Sequence, residues 1–418
     1  MVCYNPDAIL GVTVVDLTTL LTVAGLFLSV VVGNAAVFGD SLFASIAVPK
    51  ALETTGFDRP TAERVFAAEV AWYTRLPSIL PTPNVTTSSA PSIAMALARP
   101  IQLQDLVFAV QTQLRNDVVS VSGAILSDGH DKGLSMLVVV SNPPDAPTSL
   151  ELQQPDGDAR ALVRRAARET MIIIAPYRVA LSDLAGVLTG QKDAIATARE
   201  TATRGLSQPW DATVQGATEI VLLHNLLAVL AIERRDSAVA RRHFELALTT
   251  PAASMSSYAL VWMNKAFLAL TERKAAEAAH AFNKGSDLFS SHLRQTLHGR
   301  LQVLEALIAW QHGDEARAEA LFVEALTRDT SEIEPHFYLS KMLAARGDAL
   351  GAAKQMAAAQ IAARFDQHYA SLAHTILAID VTTGNLDIRA FVLDELSAMA
   401  GHPRPAEHGS PAVATPAK

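Results

Sequence analysis

One pattern recurs four times in the second half of this chain and limits its fold more than any other feature. Ala240-x3-Phe244-x2-Ala247 returns as Ala278-x3-Phe282-x2-Gly285, Ala318-x3-Phe322-x2-Ala325 and Ala352-x3-Met356-x2-Ala359. Twelve residues ahead of each set stands a small residue, Ala228, Ala266, Ala306 or Ser340, and nine ahead stands Ala231, Ala269, Ala309 or Leu343. Two helices packed as an antiparallel pair need small residues where their backbones approach, and one larger residue to fill the gap between pairs. The layout therefore predicts stacked helical hairpins. It speaks to how the chain binds and leaves its ligand unnamed.

With 418 residues, half of them hydrophobic, and a mean hydropathy of +0.22, the chain has material for two or three folded units and is too apolar for disorder. Its net charge of -8 is spread along the sequence without a Lys/Arg cluster, which excludes a dedicated nucleic-acid surface. Cys3 is the single cysteine, so neither an intramolecular disulfide framework nor a cysteine-based metal site is available.

No charge interrupts Leu17 to Gly39, and these 23 residues span about 34 Å as a helix, enough to cross a hydrocarbon core. We expect one amino-terminal transmembrane helix within residues 1–47. A cleaved signal peptide fits less well, because the first sixteen residues hold no Lys or Arg. Asp16 reads as an interfacial boundary residue, since at the bilayer centre it would cost about 3 kcal/mol. Lys50 points weakly to a cytoplasmic carboxyl side.

Residues 48–175 read as a small α+β module. Val48 to Thr61 is an extended connector, Ala62 to Leu76 a helix, Leu80 to Ser92 a loop, and Leu103 to Arg115 a second helix with Leu103, Leu106, Val107 and Val110 on one stripe. Val118–Leu126 and Leu134–Val140 form a hairpin, Ser149–Gln153 a third strand, and Ala159–Ile174 a closing helix. Asp128, His130 and Asp131 lie in the hairpin turn, where Asp and Gly are chosen for backbone reasons, so no metal is expected there.

Residues 176–382 hold the repeats. Ala240, Ala278, Ala318 and Ala352 stand 38, 40 and 34 residues apart. This resembles the tetratricopeptide repeat family, with its 34-residue period and its W-x2-L-G-x2-Y, A-x3-F and P signature. Trp262 takes the aromatic position in one hairpin, and His336-x2-Leu339-Ser340-x2-Leu343 reproduces the spacing in the last. Gly313-Asp314 and Gly347-Asp348 suit turns between helices, Gly for a left-handed residue and Asp as the next cap. Glu305 and Lys265 depart from the family's Leu. Tyr177–Leu188 with Lys192–Arg204 reads as a degenerate first hairpin and Phe365–Ile379 as a closing helix. Residues 383–401 add an amphipathic helix from Leu386 to Ala400, and the proline-rich tail, 402–418, reads as disordered.

The resemblance implies a mainly α fold, a solenoid of helical hairpins after the α+β module and the transmembrane helix. It also implies that the first helix of each hairpin lines a concave groove for a protein or peptide partner. Carried over by position, that groove presents Asn225, Val229, Met263, Phe267, Arg300, Leu307, Trp310, Gln311, Phe337 and Lys341. Phe267, Leu307 and Trp310 suit the core equally well. Asn225 and Val229 stand where the family's basic clamp has Lys and Asn, which disfavours binding of chaperone tails.

Sequence motifs for catalysis are missing: no G-x-S-x-G, P-loop, dinucleotide glycine motif, H-E-x-x-H or CxxC occurs. The twelve histidines, among them His243, His280, His292 and His298, show no metal-ligand spacing on one helix face. The expected protein is a scaffold without cofactor or metal, anchored in a bacterial inner membrane and binding a protein partner. A structural subunit of an envelope or secretion assembly is the alternative, and an enzyme seated in the α+β module is disfavoured. The order of anchor, mixed module and repeats is similar to that of membrane-tethered repeat proteins of proteobacteria, which implies a periplasmic soluble part. Lys50 argues the other way, so the side stays open.

Overall fold

The computed structural model describes residues 42–74, 85–87, 119–127, 133–141, 146–186, 193–210, 213–290, 298–328 and 333–368. The expected span Leu17–Gly39, the helix Leu103–Arg115, the hairpin turn around His130, the helix Leu386–Ala400 and the tail lie outside the described residues. The chain is mainly helical with one small mixed sheet, and it divides into two compact units, Met1–Trp72 with Thr82–Thr170, and Tyr73–Pro81 with Met171–Lys418.

The first unit is built on β1 (Leu42–Ala47), the short helix α1 (Lys50–Glu53), α2 (Arg59–Thr74), β2 (Val85–Thr87), β3 (Val119–Ser127), β4 (Leu134–Ser141), β5 (Thr148–Gln154) and α3 (Ala159–Ile174). The strand order is β2-β1-β3-β4-β5, with β1 parallel to both neighbours and β3, β4 and β5 antiparallel. The hairpin, the third strand and the helix Ala159–Ile174 stand where the sequence places them. Two strands do not. Leu42–Ala47, counted with the anchor, forms β1 inside the sheet, and Val85–Thr87, assigned to a loop, forms β2 at its edge. Alternation explains β1: Leu42, Ala44 and Ile46 are buried while Phe43, Ser45 and Ala47 are less so. Its apolar residues follow an apolar run directly, which hid the change of period.

The connector Val48–Thr61 also holds more structure than expected, since α1 lies within it and α2 begins at Arg59. Asp58 accepts from the Thr61 amide at 3.0 Å and so caps α2; the Thr61 side chain first, and then its amide, hold the Asp58 carboxyl below the usual range. Glu63, fully buried, ties α2 to the sheet: its Oε1 accepts from the Ile46 amide at 3.4 Å and from Arg59 Nε at 3.0 Å, while Arg59 Nη2 donates to Ser45 Oγ at 2.9 Å. Ala62, Phe66 and Val70 share that buried stripe.

Among the described residues the second unit holds five helical pairs: α4 (Pro176–Ala185) with α5 (Ala194–Leu206), α6 (Val214–Glu233) with α7 (Ser237–Thr249), α8 (Met255–Thr271) with α9 (Ala275–Leu288), α10 (His298–Gln311) with α11 (Glu315–Arg328), and α12 (Ile333–Ala345) with α13 (Ala349–His368). Partners pack along their length, and the first helices α4, α6, α8, α10 and α12 touch in succession. Phe365, expected to open a separate closing helix, instead continues α13 through His368. Helix α6 is long and apolar enough to cross a membrane, but its most apolar window is 83% buried, as befits the central helix of a core.

Four hairpins close alike. Arg235, Arg273, Gly313 and Gly347 all have positive φ, 59°, 58°, 84° and 85°, each five residues before its anchor alanine. The next amide turns back to a carbonyl five residues earlier: Asp236 to Ala231 at 2.9 Å, Lys274 to Ala269 at 2.8 Å, Asp314 to Ala309 at 3.0 Å and Asp348 to Leu343 at 3.0 Å. This is the six-residue helix stop in which a left-handed residue answers the last carbonyls. Asp236, Asp314 and Asp348 then cap the following helix through Val239, Arg317 and Gly351 amides. The anchor alanines and Phe244 and Phe322 are buried as packing requires. Ser340 Oγ donates to the Ala352 carbonyl at 2.8 Å, which marks the point of closest approach in the last hairpin.

Ion pairs cross two of the interfaces between successive hairpins. Arg241, one residue after its anchor, meets Glu272 and, at 2.6 Å, Glu277 of the next hairpin. At the later interface Glu319, again one after its anchor, meets Arg346, and Glu315 joins at 2.9 Å. Glu272 and Arg346 both stand six residues before an anchor, so the same two positions carry opposite signs at the two interfaces. Ala279 and His312 hold these positions at the interface between them.

Two stability predictions follow from local geometry. Arg235→Gly and Arg273→Gly relieve a left-handed side-chain residue and are expected to raise unfolding free energy by about 0.5–1 kcal/mol each in urea titrations. Gly285→Ala installs the residue used at that place in the other hairpins, yet a Cβ there would meet Trp262 Cβ at 2.9 Å, Met263 Cε at 3.0 Å and the Ala259 carbonyl at 3.1 Å. It is expected to destabilise by about 1–2 kcal/mol in the same urea titrations despite better helix propensity.

Candidate functional site

The residues expected to line a groove on the first helices divide sharply by burial. Asn225, Val229, Met263, Phe267 and Phe337 belong to the core. Met263 and Phe267 pack in the cluster that runs from Tyr177 to Ile308, and Phe337 packs with Phe322, Tyr338 and Met342. These five therefore hold hairpins together. Their side chains do not form an open surface.

Leu307, Trp310 and Lys341 are half-buried and Gln311 is exposed. Gln311 Nε2 donates to the Leu270 carbonyl at 2.9 Å, linking the end of α10 to the end of α8. Lys341 places Nζ 4.4 Å from the centre of the Phe337 ring, so the ring supports a cation at the edge of the layer. The side chain of Arg300 lies outside the described residues.

Polar groups in the interior were less legible. Asn264, fully buried on α8, donates through Nδ2 to Asn225 Oδ1 on α6 at 3.0 Å, and its own Oδ1 meets no donor among the described residues. A buried acceptor left alone costs about 1–3 kcal/mol, so this amide pair is a polar junction between two first helices that stability alone would not select. Arg178 and Glu219 form a second buried polar pair. Glu219 Oε2 accepts from the Tyr177 amide at 3.1 Å; burial pushes its carboxyl up to about 8 while the Arg178 charge pulls the other way.

A third polar place repeats. His224, Trp262, Gln302 and His336 each stand four residues before the small residue of their first helix, and His243, Ala281, Leu321 and Gln355 each stand three after the anchor; in the first and last of these hairpins the two places meet. His224 Nδ1 lies 3.1 Å from His243 Nδ1, and His336 Nδ1 lies 2.6 Å from Gln355 Oε1. Gln302 Oε1 is buried and meets no hydrogen-bond partner among the described residues. The signal for this row was present in the sequence, but only after counting offsets from the anchors.

Among the described residues no group of three or more His, Cys, Asp or Glu gathers as a metal cluster. With protein-family models, with curated proteins and with solved structures alike, the chain has no match.

Burial, and then the neighbouring His243, hold the His224 imidazole down from 6.5 to about 4; burial and the Arg242 charge lower His243 as well. For a base whose folded value is depressed, the stabilisation is complete above the unfolded value and lost as pH falls. Unfolding midpoints should therefore drop between pH 6.5 and about 4, and His224→Leu should flatten that segment of the pH curve in parallel thermal melts.

Proposed function

We propose that this chain is a membrane-anchored scaffold whose hairpins stack as a tetratricopeptide-like solenoid and hold a protein partner along the layer of first helices. The observation that carries this reading is the reuse of one closure in four hairpins, left-handed residue and returning amide at the same offset, together with first helices that touch in succession. A unit of that kind cannot bury its apolar faces alone, so neighbours stack and generate an extended surface. The uninterrupted apolar stretch Leu17–Gly39 supports the anchor.

Within the layer, the reachable groups are Leu307, Trp310, Gln311 and Lys341, a mixed apolar and cationic strip suited to an apolar segment with acidic or amide groups. Phe267 belongs to the framework of that strip, and Phe267→Ala would remove core volume rather than contact area.

The test uses a photoreactive phenylalanine analogue in place of Trp310 or Lys341, with the analogue at the exposed Val323 of α11 as reference. In intact cells, discrete adducts are expected from positions 310 and 341 and none from position 323. Equal or stronger adducts from 323 would place recognition on the second helices and end the groove reading. Mass spectrometry of the adduct reports the partner.

A further inference from the structure

His224 and His243 come from opposite helices of one hairpin, and their Nδ1 atoms converge to 3.1 Å with ring centroids 5.3 Å apart and planes inclined by 39°. A tetrahedral metal holding two imidazole nitrogens at about 2.0–2.1 Å sets those nitrogens roughly 3.3 Å apart. The observed separation already matches that bite. Both residues are half-buried, so neither is sealed from solvent.

We propose that His224 and His243 form a two-histidine site for a borderline-soft divalent transition metal, zinc or copper in class, whose remaining positions are filled by water or by a donor brought from outside the chain. Imidazole ligands select such ions over calcium or magnesium, which require oxygen cages. Among the described residues no third His, Cys, Asp or Glu completes the set, so the site is open, the arrangement that accepts an exogenous ligand. The last hairpin supplies an internal contrast: His336 at the place of His224 faces Gln355, whose amide oxygen is a poor ligand for these ions.

A hydrogen bond between two neutral imidazoles would give the same separation, and the contrast separates the two readings. His243→Gln copies the His336–Gln355 arrangement, keeping a partner for His224 while removing a nitrogen ligand. The detergent-solubilised full-length protein, without an affinity tag, is dialysed against micromolar zinc and its bound metal measured. The wild type and His336→Gln are expected to retain equal zinc. His224→Gln and His243→Gln should lose one equivalent, with helical content unchanged by circular dichroism. Unfolding midpoints should rise with zinc in the wild type alone of the wild-type and His243→Gln pair. If the wild type takes up no zinc, or His243→Gln binds as much as the wild type, the pair is a hydrogen bond and the proposal fails.

Discussion

Everything in the helical unit rests on the distance at which two backbones can approach inside a hairpin. Where Ser340 Oγ reaches the Ala352 carbonyl at 2.8 Å, there is no room for a longer side chain on either helix. Ala228 with Ala240, Ala266 with Ala278 and Ala306 with Ala318 hold the same two places, and all six are fully buried. Close approach brings dispersion contacts that a looser pair would forfeit. It also fixes the axial register, because sliding by one residue would bring a larger side chain into the same gap.

That constraint is why so much of the second unit was legible. Small residues at fixed offsets report a steric requirement, and a steric requirement survives changes in surface chemistry. Gly313 and Gly347 disclosed the left-handed closure in two hairpins, whereas Arg235 and Arg273 adopt it without any residue-type signal. The sheet was half visible for a related reason. β3, β4 and β5 alternate and are joined locally, but β1 and β2 pair in parallel across long separations, and a three-residue strand among prolines leaves almost no pattern. Groove residues fared worst. First helices in the middle of a stack contact neighbours on several sides, and so Met263 and Phe267 are consumed by packing that single-hairpin reasoning cannot see.

The interior polar groups share one logic. At the place four before the small residue, the helix meets its partner at a spot where a small residue leaves room, as Gly285 does for Trp262, or where a polar residue answers another, as His243 does for His224. Gln302 keeps an oxygen without a partner among the described residues. Volume and polarity at these two positions are therefore coupled, and a substitution at one is read through the other. Asn225 and Asn264 extend the same coupling from within hairpins to between them.

The reversed charges at the two interfaces have a consequence for how such a chain can change. Arrays of this kind lengthen when a segment of the gene is copied or recombined. Here the hairpin carrying Glu272 accepts a preceding Arg241, and the hairpin carrying Arg346 accepts a preceding Glu319. Moving either one into the other's place would set Glu against Glu or Arg against Arg across a packed seam. The order of units is thus written into the seams themselves, and a reshuffled copy would have to change sign on both sides before it could settle.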